Sequence, residues 1–108
     1  MVLSIFCQST SAAAYKALDK KINELINISQ CYLFTILTQY SKEKSLGELW
    51  AEKNGAPVRY VTVTGKSIEQ VFNKIDYAIF IIDKDSQKIK NLLMKYKMTG
   101  KRGSVIFL

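Results

Sequence analysis

Two kinds of apolar run alternate along this chain. Short unbroken runs at 2–7, 31–37 and 77–82 have the look of strands covered on both faces. Between them apolar residues recur every three or four positions, as on helices with one buried stripe. The first such stretch, 12–26, places Ala14, Leu18, Ile22, Leu25 and Ile26 on one side. A second carries Leu46, Leu49 and Trp50 and stops at Gly55, and a short third runs through Lys74. The fourth, 87–98, sets Ile89, Leu92, Leu93 and Tyr96 in a stripe and ends at Gly100. Polar caps precede each helix: the stretch 8–11, Ser41, Ser67 with Gln70 at capping-box spacing, and 83–86. A further run, Val58–Val63, has Arg59 and Thr62 out of step with its apolar residues and reads as an edge strand. Residues 104–108 read as a last strand.

Five strands alternating with four helices predict a single α/β domain over residues 1–108. Its expected form is a three-layer Rossmann-like fold with a five-stranded, mainly parallel sheet and helices on both faces. Placing the first and fourth strands centrally gives the order 3-2-1-4-5, strands numbered along the chain. In such folds ligands bind beyond the carboxyl ends of the strands, where the order reverses. Three loops should meet there: 8–11, 38–44 and 83–86. Gln8, Ser9, Thr10, Thr38, Gln39, Ser41, Lys42, Lys44, Asp83 and Ser86 are the candidate ligand residues, because helix N-termini, hydroxyls and lysines together suit a phosphate. Each hydroxyl has a plain alternative role as a helix cap.

Composition narrows the chemistry. Hydrophobic residues make up 48% of the 108, enough for one core. No apolar run is long enough to span a bilayer, and the N-terminal run lacks the charged start of a signal peptide. Two cysteines, Cys7 and Cys31, read as reduced thiols of a cytoplasmic protein rather than as a disulfide framework. The absence of histidine removes the commonest general base and metal ligand, so catalytic triads and zinc sites are not expected. Glu48 and Glu52, four apart on one helix, read as a solvated face.

The net charge of +7 suits an anionic partner, or a lysine-rich surface kept for solubility. From residue 84 onward seven basic residues face one acidic residue, Asp85. Lys88 and Lys95, and Lys90 and Lys97, are each seven apart on the last helix and form two rows beside its apolar stripe. With Lys101 and Arg102 they make a candidate surface for nucleic acid or an acidic protein. The edge strand at Val58–Val63 would allow a homodimer.

Several stretches carry a family resemblance. Leu46–Val58 (LGELWAEKNGAPV), Ile75–Ser86 (IDYAIFIIDKDS) and Thr99–Leu108 (TGKRGSVIFL) resemble, in order and placement, the small stand-alone members of the SLOG (SMF/DprA-LOG) superfamily. The resemblance implies a Rossmann-like nucleotide-binding domain with a glycine-rich phosphate loop. Counting back from Gly55 puts that loop on residues 38–44, where every glycine is replaced and Lys44 takes the place of an acidic residue. The first loop, at 8–10, keeps a serine but not the family's glycine and arginine, and the third keeps Asp83 and Ser86 but not its glycine. The loop of the phosphoribohydrolase branch has no counterpart here. More faintly, Ser4–Tyr15 resembles the loop of sugar-phosphotransferase domains that carry a phosphorylated cysteine, which would make Cys7 the carrier.

These features lead to two expectations. The first is a non-catalytic module, without a cofactor, that binds a nucleotide-derived or phosphorylated ligand, with a role in bacterial or phage nucleotide sensing or conflict expected by analogy. The second is a degenerate scaffold whose basic surface engages an acidic protein or nucleic acid.

Overall fold

In the computed structural model, which describes residues 2–29, 35–39, 43–61, 68–83 and 87–108, strand and helix alternate throughout. The elements are β1 (Val2–Phe6), α1 (Ala12–Ser29), β2 (Thr35–Gln39), α2 (Leu46–Asn54), β3 (Val58–Val61), α3 (Ile68–Asn73), β4 (Tyr77–Ile82), α4 (Gln87–Lys97) and β5 (Arg102–Phe107). All four strand pairings are parallel, and the order is β3-β2-β1-β4-β5. The predicted Rossmann-like topology is the observed one.

Strand side chains alternate between two cores, which is how one sheet serves two helical layers. On one face Leu3, Ile36, Ile79 and Ile81 pack against Ala14, Leu18 and Ile22 of α1 and Leu46, Trp50 and Ala51 of α2. On the other face Leu37, Ala78, Phe80 and Ile82 meet Val71 and Phe72 of α3 and Ile89 and Tyr96 of α4. Trp50 Nε1 donates to Asp19 Oδ1 at 3.0 Å, satisfying the indole as it ties α2 to α1. The second core is aromatic at its centre: Phe6 stacks on Phe80 at 4.7 Å, and Tyr96 meets Phe72 and Phe80 at 5.3 and 5.4 Å.

Element ends depart from the sequence reading in instructive ways. β2 continues through Thr38 and Gln39, which were expected in a loop, because register pairs them with Tyr60 and Val61 of β3. Of the strand expected at 31–37, residues 31–34 lie outside the described residues. β5 begins at Arg102 rather than Ser104, since Arg102 and Gly103 pair with Tyr77 and Ala78. Gly103 suits this close pairing: a Cβ would sit 3.0 Å from the Ala78 carbonyl oxygen and 3.2 Å from the Tyr96 ring, so both would have to give.

The cap of α2 is Ser45, not Ser41, which lies outside the described residues. Ser45 Oγ accepts from the Glu48 amide, and Glu48 returns a carboxylate oxygen to the Ser45 amide. Residues 45–48 thus form a capping box, and Gly55 closes the helix in the left-handed conformation at φ 70°. α1 starts at Ser11, whose Oγ accepts from the Ala14 amide at 3.2 Å. The cap expected at Ser67 lies outside the described residues.

Candidate functional site

α4 joins two parallel strands, so it runs antiparallel to them. Gln87 lies toward the carboxyl ends of the strands, while Tyr96 lies toward their start. The Tyr96 hydroxyl confirms this direction by donating to the carbonyl of Arg102, the first residue of β5, at 2.6 Å. Beside α4, on the face it shares with α3, a cleft of about 520 Å³ opens over β1 and β2. Its upper end, at the strand termini, holds Cys7, Gln8, Thr38 and Lys88. Phe6, Leu37, Ile68, Val71, Ile89 and Leu92 form apolar walls. Ser4 and Lys95 lie deeper along the strands and the helix. Ser4, which is buried, donates its hydroxyl proton to the Leu37 carbonyl at 3.0 Å, so it brings no unmet polar demand to the wall.

The candidate residues divide among several places. Gln8 is exposed at the cleft mouth. Ser9 is turned inward to its own loop, its Oγ accepting from the Ser11 amide and its carbonyl from the Cys7 thiol. Thr10 is exposed and lines no part of the cleft. Thr38 reaches the cleft, but its hydroxyl is hydrogen-bonded to Ser45 Oγ at 3.0 Å, across toward α2. Gln39 ends β2, and Asp83 follows β4, half-buried. Ser41, Lys42 and Ser86 lie outside the described residues. Lys44 stands elsewhere, its ammonium 2.5 Å from Glu52 Oε2, and that carboxylate holds its pKa above the usual lysine value.

The helix N-terminus where a phosphate loop would act is occupied from within. Glu48 was expected on a solvated face with Glu52; instead it is only 8% exposed, while Glu52 stays exposed. The reason is the capping box together with the Tyr60 hydroxyl, which donates to Glu48 Oε2 at 3.1 Å. A carboxylate so placed satisfies the positive end of α2 as an anion would. Gly47 lets that helix lie close on the sheet, since a Cβ there would stand 3.2 Å from both Ile36 Cγ2 and Ile5 Cδ1.

The basic surface divides too. Lys88 and Lys95 face the cleft, and among the described residues neither is ion-paired. Lys97 is exposed on the other row, and Arg102 is exposed at the start of β5. Lys101 is committed to the fold: its ammonium donates to the Asn73 and Ile75 carbonyls at 3.1 and 2.9 Å, closing the C-terminal end of α3. Sequence reasoning assigned Lys88 and Lys95 to an outer surface and Ile89 and Leu92 to the core stripe. The seven-residue lysine spacing was the available signal, but only the fold shows that this row borders β1. The aromatic wall at Phe6 and the role of Gly47 had no reading of their own.

Burial pushes the Cys7 thiol above its ordinary pKa, and the Asp83 carboxylate adds to the rise. A neutral thiol is a poor nucleophile, which argues against a phosphocysteine carrier. In a Cys31→Ser background, Cys7 should therefore react with iodoacetamide more slowly than a free thiol at neutral pH. Its rate should climb only above the usual thiol range near pH 8.5. Mass-spectrometric alkylation across pH checks this, and a midpoint at or below the free-thiol value would contradict it. A folded-state pKa raised in this way favours the fold below the ordinary thiol value, a contribution lost as pH rises through the raised one.

No protein-family model, curated protein or solved structure matches the chain. Among the described residues no helix is long and apolar enough to cross a membrane.

Proposed function

We propose that this chain is a non-catalytic, SLOG-like ligand-binding module that holds a phosphorylated, nucleotide-derived molecule in the cleft beside α4. The observation that carries the reading is the meeting of Lys88, Lys95 and Gln8 with the aromatic wall of Phe6 in one concave site. A cleft with mostly apolar walls and a few polar groups is the usual form of a small-molecule site, and its volume is in the usual range. Phe6 offers a surface for a flat base, and the lysines offer charge to a phosphate. The glycine-loop position is an unpromising alternative, because Glu48 already supplies an anion at the start of α2.

Thermal unfolding in the presence of AMP, ADP, ADP-ribose and cyclic dinucleotides tests this. A ligand at one hundred times its Kd should stabilise the fold by about 2.7 kcal/mol. For a domain of this size that raises Tm by roughly 10 °C. Lys88→Glu combined with Lys95→Glu should abolish the rise. If no compound in the panel moves Tm, the reading fails.

A second reading has its own support. Met94 of α4 and Met98 just past its end are 68% and 88% exposed, an apolar edge beside the lysine rows, as on a surface that contacts an acidic protein or nucleic acid. Salt-dependent binding of DNA or an acidic protein, unchanged by closing the cleft with Leu92→Trp, would favour it.

A further inference from the structure

We infer that the molecule bound in this cleft is elongated and carries one anionic group at each end, the first held by Lys88 and the second by Lys95. This rests on the cleft being a ligand site, and it adds the shape and charge pattern of what fits there. Seven residues of helix separate the two lysines by about 10.5 Å along the axis of α4. Because α4 runs antiparallel to the strands, that distance lies along the length of the cleft. Lys88 stands at the carboxyl ends of β1 and β2, with Gln8. Lys95 stands in the last turn of α4, toward the start of the strands, on the side where Ser4 lines the floor.

What lies between the lysines is apolar. Ile89 and Leu92 occupy the same flank of α4, opposite Ile68 and Val71 of α3, with Phe6 and Leu37 beneath. Two cations separated by such a wall do not converge well on adjacent phosphates. A diphosphate tail would satisfy one lysine and leave the other in solvent, with charge set against apolar surface that excludes water from neither. A sugar with phosphates on opposite sides would reach both lysines, while its base covers the apolar surface between them. Both lysines are exposed, and among the described residues neither is ion-paired, so binding would break no salt bridge seen there.

The experiment compares AMP, ADP and adenosine 3′,5′-bisphosphate by calorimetry and thermal shift on the intact chain. ADP and the bisphosphate each carry two phosphates and differ in where these sit; the second monoester also adds up to about one negative charge, which the single-lysine variants separate from position. The bisphosphate is expected to bind at least tenfold more tightly than ADP. Lys88→Gln and Lys95→Gln should each weaken it about tenfold, while AMP should respond to only one of the two. Both side chains are exposed, so circular dichroism and unliganded Tm should stay unchanged and separate lost binding from lost folding. If AMP binds but the bisphosphate is no tighter than ADP, or either lysine proves indifferent to it, the two-ended ligand is overturned while the cleft remains a ligand site. If none of the three binds, this inference falls, and the site falls with it if ADP-ribose and the cyclic dinucleotides also leave Tm unmoved.

Discussion

Phe80→Ala should cost about 3–5 kcal/mol of unfolding free energy, the range for truncating a buried aromatic. Phe80 is fully buried in β4, a strand hydrogen-bonded on both sides to β1 and β5. Its ring lies against Phe6 at 4.7 Å and Tyr96 at 5.4 Å, so it joins the sheet to α4. The neighbours that would have to collapse into the gap are held: Tyr96 by its hydrogen bond to the Arg102 carbonyl, and the Phe6 ring by its edge-on contact with Phe72 at 6.1 Å. Incomplete collapse puts the cost toward the upper end. Small domains have about 5–15 kcal/mol in total, so the variant should lose a large share of its stability. Urea unfolding followed by far-ultraviolet circular dichroism would measure it, with a midpoint fall at nearly constant slope. A loss under 1 kcal/mol would mean that the aromatic cluster does not carry the second core.

The next largest effect is expected at Gly47. Leucine there should destabilise by about 1–3 kcal/mol, the usual cost of overpacking. Ile36 and Ile5 leave no room beyond a Cβ, and both are fixed in the two strands beneath α2. The helix would have to lift from the sheet, loosening Leu46 and Trp50 from the first core. Alanine is a separate case. Its Cβ needs the Ile36 and Ile5 side chains to give by only a few tenths of an ångström, and it gains up to about 1 kcal/mol of helix propensity over glycine. Gly47→Ala should therefore stay near the parent stability. The pair of variants, compared by the same unfolding measurement, separates packing from backbone freedom: equal values for alanine and leucine would refute the close-approach account.

How much of this was readable from residues alone depends on the range of the signal. The runs at 2–7 and 77–82 are unbroken and β-rich, and both became interior strands. Strict alternation of element types then left few topologies, and the observed order was among them. The starts and ends that were missed depend on pairing. Nothing local in Lys101-Arg102-Gly103 resembles a strand; β4 makes it one. The spacing of Ser45 and Glu48 was a local signal for the cap of α2, as legible as that of Ser67 and Gln70, but Ser41 competed for it. For the site, the lysine rows were visible at their spacing. Their position beside β1, some eighty residues away in sequence, is a product of packing, which no window of the chain contains.

Glu48 has a consequence for anyone who would re-engineer this scaffold. Placing glycines in residues 38–44 to build a phosphate loop would set the incoming phosphate against the negative charge already tethered at the head of α2. Removing that charge by Glu48→Gln would leave Tyr60 donating to an amide oxygen and the cap weakened. Glu48 gives the head of α2 a fixed anion of its own, so the cap there is complete without a bound one. Building a phosphate cradle there would mean exchanging self-sufficiency for dependence on a supplied anion.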